Sequence, residues 1–477
     1  MTGRTGMSSG LATNMVAVLV GRVFTIVIGF ASIALLTRHL GQEGYGHYRT
    51  ILTLAGIGAV LGDLGLQFIV LRRISDPAAD SSLILGAGVM LRLVASTAIM
   101  AIVAIAVDLL PYEPVVWTGV LVAAPYYVLF QTCMLLQGVF QKHLRQDLQM
   151  LAETLGGLVM LGGIYLAARA EAGVIAMVMA MVAGGIVQLL VVWTLAARLE
   201  PFRPRLAPRE WRGLLRDGLP IAGSRLALMA ILRGDILMLS LLGSASAVGL
   251  YGVPSKIFEI LAGIAALFGG MLMPMLVTSM ARGDDSHTNR LVTDSFDTML
   301  IFGAGTVIAF LGFGRDILAL LAGPEFVDAY PALCLIGVAV AANACGQIFR
   351  HFLMAVDLQV RAMRVDIVLL AMAIPTYGLL IPWLSFIGAA LATATIETGL
   401  AIGLARTAIA TGRAGFAQSR AGWILVAAAG GWLSMQACTA LGMHWFAGLS
   451  IGGTAYLLLL ALLRALPLAL LRGRKMP

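Results

Sequence analysis

Apolar residues in this chain gather into long blocks divided by short polar breaks. About fourteen blocks approach or exceed the twenty or so residues that a helix needs to cross a bilayer. They run from 12 to 37, 45 to 71, 81 to 107, 114 to 140, 147 to 168, 173 to 196, 218 to 242, 249 to 278, 298 to 322, 330 to 355, 363 to 384, 386 to 405, 421 to 441 and 444 to 463. The pattern predicts an all-α integral membrane protein with about 14 transmembrane helices. Only two breaks are longer, 197 to 217 and 279 to 297, and neither has room for a folded soluble domain. The first block is too long for a signal-peptide core and lacks a small-residue cleavage site, so it is expected to stay in the mature protein.

Composition agrees: of 477 residues, 60% are hydrophobic and 12% charged, too few charges to cover a water-soluble body of this size, which excludes a soluble enzyme. The net charge of +8 is unevenly spread over the breaks. One alternating set holds Arg4, Arg72, Arg73, Lys142, Arg145, the six arginines of 197 to 217, Arg282, Arg290, Arg361, Arg364, Arg406, Arg413, Arg420 and the C-terminal tail, whereas the other holds only Arg38 and Arg169. Because Lys and Arg in short loops resist translocation, both termini are predicted to be cytoplasmic and the number of spans even. Basic residues scattered along one membrane face make no nucleic-acid groove, so no nucleic-acid partner is expected.

Chemistry that would mark an enzyme is missing. There is no Walker A loop, no HExxH and no complete GxGxxG after a strand, and the one Gly-x-Ser-x-Gly run, Gly448 to Gly452, lies inside an apolar block and not at a strand-to-helix elbow. The four cysteines form no CxxC pair. The six histidines, His39, His47, His143, His287, His351 and His444, fall at block ends or in breaks without ligand spacing, so each reads as an interfacial polar residue and no metal site is predicted.

The 197 to 217 break carries Arg198, Arg203, Arg205, Arg209, Arg212 and Arg216. Trp211, Leu214 and Leu215 share one side of a helical projection beside a stripe of Arg209, Arg212 and Arg216, which predicts an interfacial helix; Pro201, Pro204 and Pro208 leave the first ten residues as a linker. A repeat surrounds this break. Arg22, Leu40-Gly41 and Gly46-His47-Tyr48 are echoed by Arg225, Leu242-Gly243 and Gly249-Leu250-Tyr251 at an offset near 203. Two homologous six-span lobes follow, 1 to 196 and 218 to 410, joined by the cytoplasmic linker 197 to 217, with two additional helices and a cytoplasmic tail in 411 to 477. Parallel repeats of this kind hold substrate at their mutual interface.

The order Arg22, Leu40-Gly41, Tyr45-Gly46-x-Tyr48 and Asp63-Leu64-Gly65-Leu66 resembles the opening of bacterial O-antigen and exopolysaccharide flippases, the polysaccharide branch of the multidrug/oligosaccharidyl-lipid/polysaccharide exporter superfamily. Its motif-level part is confined to about the first 75 residues; span number, loop asymmetry and the central repeat extend it over the chain. The resemblance implies two pseudo-symmetric six-helix lobes around a central cavity plus two C-terminal helices. It also implies outward movement of undecaprenyl-pyrophosphate-linked oligosaccharide for lipopolysaccharide or exopolysaccharide synthesis in the bacterial inner membrane, beside polysaccharide polymerase machinery, with no cofactor.

Ionisable residues deep inside the blocks supply the candidate site. The bases are Arg22, Arg92, Arg225, Arg233 and Lys256; the acids are Asp63, Asp235, Glu259 and Glu397. A central Arg, Lys or Asp costs about 2.5–3.5 kcal/mol on insertion scales, so the five bases must face protein, water or ligand. Asp235 is close to Arg233, and Glu259 is one turn from Lys256, which predicts local pairing. Arg22, Arg92 and Arg225 have no acid at helical spacing. Two readings stand for them: convergence on a diphosphate, which guanidinium forks match in shape and charge, or pairing across helices with Asp63 or Glu397. Arg225 also lies near enough to its block end to snorkel. Asp63, Asp235, Glu259 and Glu397 are candidates for H+ or Na+ coupling or for charge pairing, although membrane potential alone would drive a dianion outward. Arg315 and Arg350, nearer block ends, are expected to snorkel or to pair with Asp316 and nearby carbonyls.

Two other functions compete: a cation-coupled drug exporter of the same superfamily, against which the excess of arginine argues, and a membrane oligosaccharide ligase or glycosyltransferase, for which the outer breaks are too short.

Overall fold

The computed structural model describes residues 4–412 and 419–467, with side chains described from residue 21 onward except for 220–233. Among these residues there are thirteen α-helices, one short 3-10 helix and no strand. The helices are α1 (Arg4–Asp63), α2 (Leu66–Ile74), α3 (Ser81–Asp108), α4 (Pro114–Lys142), α5 (Gln146–Arg169), α6 (Val174–Leu199), α7 (Pro208–Leu242), α8 (Ala245–Ala281), α9 (Asp285–Ala322), α10 (Tyr330–Ala355), α11 (Gln359–Ile409), α12 (Ala421–Ala440) and α13 (Trp445–Leu462). Eleven of them are long and apolar enough to cross a membrane. The protein is an all-α, multi-pass membrane protein.

Each of the fourteen apolar blocks lies on a helix, and the mismatches in number have local causes. The first two blocks continue through α1, bent at Gly41, which takes φ 64°, a left-handed conformation that glycine adopts without cost. The eleventh and twelfth continue through α11, bent at Ser385 with φ 51°. The second block is cut instead at Leu64 and Gly65, both left-handed at φ 47° and 69°, so that α1 stops at Asp63 and α2 starts at Leu66. The polar segment after 279 is mostly helix: Asp284 caps α9 by accepting from the His287 N–H, and Thr288, Thr293, Ser295 and Asp297 turn inward from its first turns. A polar stretch here marks a buried polar face where a loop was expected.

The chain divides into two compact units, residues 1–249 and 250–477. In the first, α2, α3, α4 and α6 enclose a core of Leu66, Val70, Leu85, Leu135, Leu136, Phe140 and Val192. The segment expected as an interfacial helix forms the opening turns of α7, continuous with the span that follows. Its apolar stripe is used: Leu214 is fully buried and the Trp211 indole donates to the Ala87 carbonyl at 3.0 Å. The linker before it is pinned by Phe202 against Trp193 and by the Arg205 N–H on the Gly86 carbonyl.

Charge pairs fix the same region. Arg73 donates to Asp217 at 2.8 Å, with Arg72 at 3.4 Å, and its hydrogen bond, reinforced by the charges of Arg72 and Arg216, holds the Asp217 carboxyl below its usual range. A folded-state value below the unfolded one means that the contribution is present above about pH 4 and is lost as pH falls through the folded value. Amide exchange in 208–217 is therefore expected to quicken on acidification and, at neutral pH, in Asp217→Asn. Unchanged exchange in that variant would show that apolar packing alone seats α7.

In the second unit α8 to α11 share a core of Leu272, Leu276, Phe349, Phe352, Leu353 and Leu404. The α12–α13 hairpin packs on α9 through Ile308, Phe313, Met435 and Tyr456. Its entry is fastened by fully buried Asp297, which accepts from Ser419 Oγ at 2.6 Å and from the Arg420 N–H at 3.0 Å.

Candidate functional site: charges within the membrane helices

Arg92 on α3 is completely buried. Its guanidinium spans the break between α1 and α2: Nη2 donates to Asp63 Oδ1 at 2.6 Å, Nη1 to the carbonyls of Gly62 (3.2 Å) and Asp63, and Nε to the Gln131 carbonyl on α4 at 3.1 Å. Gln131 in turn donates to the Ala59 carbonyl. The left-handed residues 64 and 65 end α1 inside the protein, and its last carbonyls lose their helical donors. A planar fork with five N–H groups is the side chain that can satisfy several of them and a carboxylate together. Of the two partners that the sequence left open for Arg92, the structure supplies the carboxylate across helices.

Arg22 has a different setting. It lies ten residues inside its span, a depth of roughly 15 Å at 1.5 Å per residue, and its side chain is exposed among Val23, Phe24 and Val27. The neighbouring Gly21 backs directly onto Met150 of α5, which brings Arg22 within electrostatic reach of Glu153. Glu153 accepts from Gln149 at 2.9 Å and from Gln137 at 3.4 Å. The sequence candidates omit Glu153 because it sits near the start of its block; its polar helical neighbour Gln149, four residues earlier, was the available signal. Arg22 and Arg92 thus have different neighbours.

Among later charges, Lys256 and Glu259 on α8 form the expected one-turn pair, with Nζ–Oε2 at 2.7 Å and both side chains part-exposed. Asp235 accepts from the Ile236 N–H. Arg225 and Arg233 lie outside the residues whose side chains are described. Glu397 on α11 is buried and accepts from Asn343 Nδ2 on α10 at 3.0 Å. Beside them Gln347, Arg350 and Leu404 help to line a cavity of about 10 Å³, room for one water-sized particle. Asn343 Oδ1 is buried with no hydrogen-bond partner among the described residues. Arg350, expected to snorkel or to pair with Asp316 and nearby carbonyls, instead pairs in bidentate fashion with Asp366 at 2.8 and 2.9 Å, because Asp366 faces it from the adjoining helix. Arg315 stacks over the Tyr330 ring at 5.1 Å.

The repeated segments also meet. A Cβ on Gly46 would fall 1.8 Å from the Ala245 carbonyl oxygen, and one on Gly249 would fall 1.9 Å from that of Gln42. Gln42 and Gly46 are related to Ala245 and Gly249 by the same 203-residue offset, so the contact is reciprocal. Ser246 Oγ seals it by donating to Gln42 Oε1 at 2.7 Å.

Comparison with known proteins fixes the family. A family model described as polysaccharide biosynthesis protein matches residues 11–280. The chain belongs to that family. No curated protein matches the sequence. Among solved structures, the family member resembles the lipid II flippase MurJ in an inward closed conformation, with a TM-score of 0.77, 10% identity and coverage of 94% of this chain and 98% of that one. It also resembles a multidrug resistance MATE family transporter of the MOP superfamily in an inward-facing conformation (TM-score 0.63, 14% identity, 83% and 97% covered). A MOP superfamily transporter from Pyrococcus furiosus follows (TM-score 0.55, 13% identity, 84% and 95% covered). At these identities the likeness is one of fold alone.

Proposed function

We propose that the protein is a flippase, and no enzyme, that carries undecaprenyl-pyrophosphate-linked oligosaccharide from the cytoplasmic to the periplasmic leaflet of the bacterial inner membrane by alternating access. Both termini are cytoplasmic in this reading. The lobes are 1 to 196 and 218 to 410, and the product feeds a polysaccharide polymerase for O-antigen or exopolysaccharide. Membership of a polysaccharide biosynthesis family carries the reading, because it joins a saccharide pathway to a fold shared with a lipid II flippase.

Arg22 is the first residue assigned to the pyrophosphate. A guanidinium exposed this deep in a span is costly unless water or an anion meets it, and the arginine fork suits a diphosphate. Arg225 and Arg233 are assigned with it, whereas Lys256 already pairs with Glu259. Arg92 is left out, since Asp63 and three carbonyls already engage its guanidinium. With the cytoplasm negative, outward movement of two negative charges gains about 4.6 kcal/mol per 100 mV, so a potential can drive the cycle. Glu397, with Asn343 beside it, is the carboxylate assigned to an H+ or Na+ if a co-ion takes part.

The test is translocation of fluorescent undecaprenyl-pyrophosphate oligosaccharide in proteoliposomes under an imposed potential. Arg22→Ala is expected to lose at least about tenfold in rate and Arg22→Lys to keep part of it, because an ammonium retains charge without the fork. Glu397→Gln should remove any dependence on an ion gradient. Full transport by Arg22→Ala would assign Arg22 to packing, and a native protein that moves cationic drugs but no lipid-linked sugar would make it an exporter.

A further inference from the structure

Two carboxylates and an imidazole converge just beyond the Gly41 bend of α1. Glu43 and His47 are four residues apart and project from one face of the helix. Glu113 precedes α4, yet its side chain makes no capping bond to that helix and reaches toward α1 instead. His47 Nε2 lies 3.4 Å from Glu113 Oε1, and the imidazole is only 12% exposed. One ligating atom from each of Glu43, His47 and Glu113 falls within 4.8 Å of the other two.

That separation carries information. At 3.4 Å the imidazole–carboxylate contact is long for a hydrogen bond between such groups, but bonds of about 2.0–2.2 Å to a tetrahedral ion put neighbouring ligand atoms roughly 3.4 Å apart. The surroundings agree with an ion. The three residues line a cavity of about 400 Å³ together with the hydroxyl residues Tyr112, Ser244 and Ser246, and among the described residues its lining holds no Lys or Arg. Two carboxylates there face no fixed cation in that lining, and a divalent ion would balance them. The cavity lies entirely within the first unit.

We propose that Glu43, His47 and Glu113 form a binding site for a divalent transition-metal ion, zinc above all, with the fourth position open to water or a cavity hydroxyl. Imidazole among the ligands selects zinc, nickel or copper over magnesium and calcium, which take oxygen ligands. The bound ion ties α1, immediately after its bend, to the beginning of α4. No single helix carries all three ligands, which is why histidine spacing along the sequence predicts no metal here.

The full chain, purified without a histidine tag, is titrated with zinc chloride by calorimetry and then loaded with cobalt for its visible spectrum. Expected are one zinc per chain, an intense cobalt band typical of four-coordination, and a higher Tm with zinc. His47→Ala and Glu113→Gln should each weaken zinc binding by at least about tenfold, as even outer-shell losses do at metal sites, and remove the cobalt band. His351→Ala, on the other unit, should bind zinc as the native chain does. Equal zinc affinity in native protein and His47→Ala, absence of zinc binding by the native chain, or displacement of zinc by equimolar magnesium would each overturn the assignment.

Discussion

Placing a single methyl group on Gly46 is expected to destabilise the protein more than most surface or core changes of that size. Its Cβ would sit 1.8 Å from the Ala245 carbonyl oxygen, a backbone atom that no rotamer change can remove. Overpacking of rigid cores costs about 1–3 kcal/mol, and a backbone-on-backbone clash belongs at the upper end. Gly46→Leu should go further and prevent the segments from meeting. Gly249→Ala is the mirror of this change, with its Cβ 1.9 Å from the Gln42 carbonyl oxygen. Since both open one contact, the double variant should lose clearly less than the sum of the singles. Thermal unfolding of detergent-solubilised protein checks this, with Gly29→Ala as a control: nothing lies within 4 Å of its Cβ, and relief of helical glycine should stabilise by about 0.5–1 kcal/mol. Strict additivity of Gly46→Ala and Gly249→Ala would show that the contact is not shared.

A still larger loss is expected from Arg92→Ala. The substitution takes the guanidinium from Asp63, 6% exposed, and from three carbonyls around the end of α1. Breaking a buried pair from one side costs about 3–5 kcal/mol, because the remaining charge stays desolvated. Asp63→Leu combined with Arg92→Met should recover much of that loss, since it removes both charges and keeps volume. Arg92→Lys should behave nearly as badly as alanine: one ammonium cannot reach Asp63 Oδ1 and carbonyls on two helices in the geometry of the fork. The readout is the monodisperse fraction after heating, followed by chromatography. If Arg92→Ala unfolds within a degree or two of the native chain, the pair is dispensable and Arg92 returns to the candidates for a ligand.

The helices were legible because transmembrane segments announce themselves by length and apolarity, which needs no knowledge of neighbours. Local charge pairing was legible for the same reason: Lys256 and Glu259 meet within one turn. What a linear pattern hides is contact between segments. Asp63 and Arg92 are 29 residues apart on different helices, and Glu113 reaches His47 from the beginning of another helix. Asp366 meets Arg350 from the adjoining helix, a contact that linear spacing does not show. Polarity misled at 285 to 297, where inward-facing Thr, Ser and Asp residues belong to α9. Backbone reversals were also hidden at Leu64 and Ser385, since neither residue type advertises a left-handed conformation. The reciprocal contact between Gly46 and Gly249 likewise needed coordinates.

The four residues Asp63-Leu64-Gly65-Leu66 also gain a meaning that differs from their use as a signature. All four act mechanically. Asp63 anchors Arg92, Leu64 and Gly65 reverse the backbone, and Leu66 is fully buried in the core where α2 begins. None of these roles involves cargo. In this chain the tetrapeptide therefore declares how the second span is built.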